Sequence, residues 1–212
     1  MRKSQKAMIT GGMLAVIAVC TVAPTLSWLS DKTDPVVNTF AGGAISIKLD
    51  EALVDTDGKA LTGDDAQRVT NNSYKYVPGS VLDKDPTPTV LKGSEECYVF
   101  MCVENNLNDK FPINYDTNSW QQVAKADNKT VYIYSETINA EQSEADVMLN
   151  PIFTQVTVST ELTSNDIKAL GEKTLTATAY AVQAKSIDKD TAINLAVSQF
   201  LPQATEVIPD IS

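Results

Sequence analysis

The sequence predicts an all-β fold, a jelly-roll-like β-sandwich with one or two short helices. Three observations predict it. Seven or more short stretches alternate apolar and polar residues or are rich in β-branched and aromatic ones. Proline and glycine turn pairs separate them, and only two stretches carry apolar residues at helical spacing. A chain of 212 residues is long enough for one domain with a real core, and neither an internal repeat nor a second domain is visible. The expected division is a signal peptide over 1–27, an N-terminal assembly segment over 28–43, the β-sandwich over 44–200 and a loosely ordered tail over 201–212.

The elements justify themselves in order. Ile45, Ile47 and Leu49 alternate with Ser46 and Lys48, the pattern of a half-buried strand, and Gly42-Gly43 before it permits a bend or bulge. Asp57-Gly58 reads as a tight hairpin turn, and Pro78-Gly79 as another turn. Pro86 and Pro88 restrict "DPTPTV" to an extended edge or connector, because proline donates nothing to a ladder. "CYVFMCV" is apolar on both faces, as a central strand covered on both sides would be. "FPINY", "WQQVA", "TVYIYSE" and "IFTQVTVST" follow as short strands. "TSNDIKAL" reads as one or two helical turns, capped by Thr163 or Ser164 and stopped by Gly171. "KTLTATAYAVQAKSI" alternates Leu175, Ala177, Ala179 and Ala181 against Thr176, Thr178, Tyr180 and Val182, a long strand. "DKDTAINLAVSQF" places Ala192, Ile193, Ala196, Val197 and Phe200 at helical spacing. Long crossovers and the long final strand suit a jelly roll.

Charge removes one class of function. The chain carries 27 acidic residues against 17 basic ones and no histidine, a net charge of −10. A nucleic-acid binder needs a basic face to displace counterions, so no nucleic-acid partner is expected. "MRKSQK" followed by "AMITGGMLAVIAVCTVAPTL" has the cationic-then-apolar order of a secretory signal. Gly11, Gly12 and Pro24 interrupt the run, and the small residues Thr25 and Ser27 allow cleavage between Ser27 and Trp28. A retained membrane anchor and lipidation at Cys20 are the alternatives, the latter disfavoured by bulky Val19. Near the other end, "FLPQAT" faintly resembles a wall-sorting signal but departs at Ala204, so covalent wall anchoring is not expected.

Chemistry is mostly excluded by residue type. Without histidine there is no Ser–His–Asp or Cys–His arrangement and no His-Glu-x-x-His zinc helix. Cys97 and Cys102 lie five residues apart in one strand, on opposite faces and roughly 17 Å apart along it, beyond one disulfide or one shared metal. They read as buried thiols, with an intermolecular bridge as the alternative. "DTDGK" (55–59) opens like a calcium loop, but its glycine is misplaced and the closing glutamate is missing. "DKD" (83–85) and "SEE" (94–96) read as solvated turn charges, with a loose calcium site as the sharper reading. No catalytic residue, cofactor or metal site is assigned.

"SWLSDKTDPVVNTFAGGAISIKL", "YVPGSVLDKDPTPTVLKGSEECYVFMCVEN" and "TLTATAYAVQAKSI", behind such a leader, resemble the TasA and camelysin family. These are secreted proteins of Gram-positive bacteria whose signals are removed by a SipW-type signal peptidase. The resemblance covers most of the chain and implies a jelly-roll domain with an extracellular, often fibrous, biofilm-matrix or surface role. Some members carry a metalloprotease label, from which this chain departs by lacking histidine and a zinc motif. In fibre-forming members the segment freed by cleavage inserts as a strand into the next subunit. That implies an assembly strand from Trp28 to about Phe40, with Trp28, Leu29, Val36, Val37 and Phe40 as candidate anchors. The implied partners are further copies of the chain, the signal peptidase during export and an accessory matrix protein. The alternatives are a monomer whose residues 28–40 fold back on their own domain, binding a glycan or host protein, and, behind it, a secreted camelysin-like metallopeptidase, which would need a bound metal.

Overall fold

The computed structural model describes residues 28–30, 39–40, 43–75, 77–170 and 173–202, with backbone alone for 28–30, 39–40, 43–44, 164 and 170. Two four-stranded antiparallel sheets face each other across one core, and a helix covers the outer face of one of them. The first sheet runs β10 (Trp120–Ala126), β11 (Lys129–Tyr134), β9 (Cys97–Asn105), β14 (Leu175–Gln183). The second runs β12 (Val147–Met148), β8 (Thr87–Val90), β4 (Ile47–Ala52), β5 (Arg68–Val69). Three two-stranded pairs complete it: β1 (Trp28–Ser30) with β6 (Ser73–Lys75), β2 (Thr39–Phe40) with β3 (Gly43–Ala44), and β7 (Val81–Asp83) with β13 (Gln155–Thr157). The expected all-β class with two short helices is what forms.

β9 is the centre, as its two-faced apolar sequence requires. Cys97, Val99, Met101 and Val103 point into the inter-sheet core with Ile47, Leu49 and Leu82. Phe100 and Cys102 point the other way, against α2 (Lys189–Phe200) through Ala192, Ala196 and Val197. Each fully buried large aliphatic or aromatic side chain contributes about 1.5–3 kcal/mol through water exclusion. β14 pairs with β9 along its whole length, from Leu175 opposite Asn105 to Gln183 opposite Cys97. Its inner face is Leu175 and three alanines, so β4 of the opposite sheet lies close against it.

The helices end where their caps dictate. Asp188 accepts the Thr191 N–H at 2.8 Å and starts α2. At α1 (Ser164–Leu170) the cap is Thr163: its Oγ1 accepts from Asp166 N–H, and Asp166 accepts from Thr163 N–H in return. Gly171, the expected stop, lies outside the described residues, as do residues 1–27 and 203–212.

Two expectations need correction. "DPTPTV" is extended, but β8 is an interior strand, bonded to β4 on one side and to 147–152 on the other. The prolines fit because backbone groups alternate sides along a strand. Leu91 N–H points to β4, donating to Ser46, so Pro86 and Pro88 turn their missing donors away from β4. On that far side they serve as acceptors only, from Ile152 and Leu149 N–H. "FPINY" is not a strand. Among the described residues its only ladder contact is a single bridge from Ile113 to Val156, flanked by Pro112 C=O accepting from Thr157 N–H.

Candidate functional site

The segment expected to act in assembly is described in two pieces. Trp28, Leu29 and Ser30 form β1, antiparallel to β6 of the same chain, with Trp28 opposite Lys75, Leu29 opposite Tyr74 and Ser30 opposite Ser73. Phe40 lies in β2, opposite Gly43 of β3. Val36, Val37 and Ser27 lie outside the described residues. The described pieces therefore pair within one chain and belong to two separate two-stranded sheets. β6 has no other sheet partner among the described residues, so the slot that β1 fills is the free edge of β6.

Beneath this edge the interior turns polar. Three strands carry an apolar inward residue followed or preceded, two positions away, by a polar one on the same face: Leu49 and Glu51 on β4, Tyr74 and Asn72 at β6, Leu82 and Lys84 at β7. Glu51 and Lys84 are each only 1 % exposed, and Asn72 is buried. Lys84 Nζ lies 2.7 Å from Glu51 Oε2, while Asn72 Nδ2 donates to Glu51 Oε1 at 2.8 Å. Asn72 is itself held by the backbone, its Nδ2 donating to Ala52 C=O at 2.8 Å and its Oδ1 accepting Val54 N–H at 3.1 Å. The Tyr74 ring stands 5.5 Å from Lys84 Nζ, and its hydroxyl donates to Asp83 C=O.

"DKD" is thus not a solvated turn. Lys84 is core, because the β7 alternation that buries Leu82 also turns Lys84 inward. The aspartates beside it bind protein donors. Burial pushes the Asp83 carboxyl up, but the Ala60 N–H, the Gln155 amide and the Lys59 ammonium outweigh it and hold it below the usual carboxylate range. Asp85 accepts Ala52 N–H and, with Asp50, receives the guanidinium of Arg68, which also donates to the carbonyls of Asp50 and Asp85. In "SEE", Ser94 is buried against Ser46, Glu95 receives the Gln183 amide and Glu96 the Thr137 hydroxyl. In "DTDGK", Asp55 Oδ1 accepts Asp57 and Lys59 N–H and closes the expected hairpin turn, which Val54 and Ala60 bridge. Among the described residues no three His, Cys, Asp or Glu side chains gather to hold a metal.

Sequence reasoning missed the Glu51–Asn72–Lys84 cluster, though one signal was present. Glu51 is the next position on the inward face after Ile45, Ile47 and Leu49. A carboxylate there demands a buried partner. Compared with protein-family models, with curated proteins and with solved structures, the chain has no match.

Proposed function

We propose that the chain is a secreted, non-catalytic structural protein of the extracellular matrix or cell surface, of TasA and camelysin type. It assembles head to tail into fibres by donating its N-terminal strand to the next subunit, and its two facing sheets are wound as a jelly roll. The observation that carries this reading is the pairing of β1 with β6: the residues directly behind the expected cleavage point complete a strand edge that has no other sheet partner among the described residues. An identical strand from a neighbour makes the same backbone bonds, so exchange costs no pairing. Before cleavage, a strand tethered to a leader in the membrane cannot be exchanged, which makes signal removal the trigger. The acidic charge keeps unassembled subunits apart.

A second reading has its own support, since β1 is seated on its own domain: a monomeric surface-binding module. Negative-stain electron microscopy of the concentrated protein beginning at Trp28, beside one beginning at Ala41, separates the two. Fibres from the first and none from the second support strand donation. Equal fibres from both overturn donation, and compact monomers from both favour the binding module.

A further inference from the structure

We propose that Lys84 and Asn72 become joined by an intramolecular isopeptide bond, with Glu51 as the carboxylate that moves the protons. The amine and the amide sit on the two oxygens of one carboxylate, at 2.7 and 2.8 Å, so they are neighbours within the width of that group and two hydrogen bonds. All three side chains are shielded from water, which would otherwise compete as a nucleophile. A buried ion pair is an expensive way to stabilise a core, whereas an amide in the same place leaves no charge on lysine.

The chemistry balances without a cofactor. A proton passes from the Lys84 ammonium to Glu51 along their short contact, leaving a neutral amine and a carboxylic acid. The amine lone pair attacks Cγ of Asn72, and the carbonyl electron pair moves onto Oδ1, where Val54 N–H already donates. Glu51 returns its proton to Nδ2. The Cγ–Nδ2 bond then breaks with its electron pair going to nitrogen. The surplus proton on the former lysine nitrogen passes to Glu51, and ammonia leaves as the neutral molecule. The net change is one ammonia lost, the Asn72 primary amide exchanged for a secondary one, and Glu51 left as the neutral acid, so that no charge stays buried. Holding amine and amide together removes most of the entropic barrier to a reaction that is otherwise very slow. The bond would tie the start of β6 to the end of β7, beneath the edge that β1 covers. It is a covalent staple for a fold whose described cysteines are both free.

Intact mass spectrometry of the purified full chain, followed by tryptic mapping, tests it. The expected result is a mass one ammonia below the sum of the sequence, with peptide 69–75 joined to peptide 76–92 and no cleavage after Lys84. Glu51→Gln should restore the full mass and release both peptides. Wild-type protein that keeps the full mass after prolonged incubation at neutral pH overturns the proposal. So does an ammonia loss that leaves Lys84 cleavable, since that locates the change in a succinimide at Asn72-Ser73. The wild-type map decides the matter even if Glu51→Gln fails to fold.

Discussion

Cys97 and Cys102 lie on opposite faces of β9 and belong to different cores, Cys97 between the sheets and Cys102 beneath α2. Both are free and buried. Burial pushes the Cys97 thiol up to about 12, with Glu96 adding to it. Burial likewise raises Cys102 to about 11, with Lys129 opposing and Glu104 reinforcing. Neither thiol should react with an aromatic disulfide reagent at pH 8 in the native protein, and both should react in denaturant. The same shifts set an alkaline limit. Below the ordinary thiol pKa of 9.0 both folded and unfolded chains hold the protons. Above it the unfolded chain releases them first, so stability falls as pH rises towards the folded values. Urea midpoints measured from pH 8 to 11 should therefore decline, and less steeply with both cysteines changed to alanine. Half-buried Tyr115 and buried Tyr132, both raised chiefly by burial, sustain the remaining slope.

Gly58 is held at φ +74°, and a Cβ there would stand 2.6 Å from Leu82 Cδ2 and 3.5 Å from Tyr74. Its carbonyl accepts Asp83 N–H at 2.7 Å, so the turn cannot move without disturbing β7. Gly58→Ala should cost about 2–4 kcal/mol, from left-handed strain and overpacking together. Gly93→Ala isolates the strain alone, because φ is +83° there with nothing within 4 Å of the added carbon. It should cost about 1 kcal/mol. Equal losses in Tm for the two variants would show that Leu82 yields freely.

Thr89 offers a gain. Its hydroxyl is buried in interior strand β8 and finds no hydrogen-bond partner among the described residues. Thr89→Val keeps the shape and removes the orphaned group, so the thermal midpoint should rise, by about 1 kcal/mol of stability. A lower midpoint would place an ordered water or another partner on that oxygen.

The strands that were legible are those whose environment is set by their own alternation. β9 shows two apolar faces in seven residues and β14 shows one, and each emerges as read. The α1 cap is equally local: of the two candidates Thr163 and Ser164, the four-residue reciprocal pairing with Asp166 selects Thr163. β8 was misplaced because a proline excludes a donor only on one side of the strand, and the side depends on neighbours remote in sequence. Lys84 was misread for the same reason. Between two aspartates it looks like a solvated charge, and only the long-range meeting of β4, β6 and β7 supplies Glu51 and Asn72. The slot beside β6 was legible only in its occupant, a strand-forming run behind the expected cleavage point, while the edge it fills is a property of the folded chain.

Whether β1 stays on its own domain or is exchanged can be read directly from Ser30 and Ser73, which are Cα partners across the pair. Replacing both by cysteine in the protein beginning at Trp28 places two thiols at one rung of the ladder, within the Cα separation that a disulfide spans. Cys97 and Cys102 are buried and do not compete. In dilute solution, oxidation should give a monomer on a non-reducing gel, because β1 occupies its own slot. In fibres formed first and oxidised afterwards, strand donation puts the β1 thiol of one subunit beside the β6 thiol of the next, and a ladder of covalent oligomers should appear. The Ser30→Cys and Ser73→Cys single variants should give no such ladder under the same conditions. Fibres whose crosslinks remain within single chains would show that assembly uses another surface and leaves β1 at home.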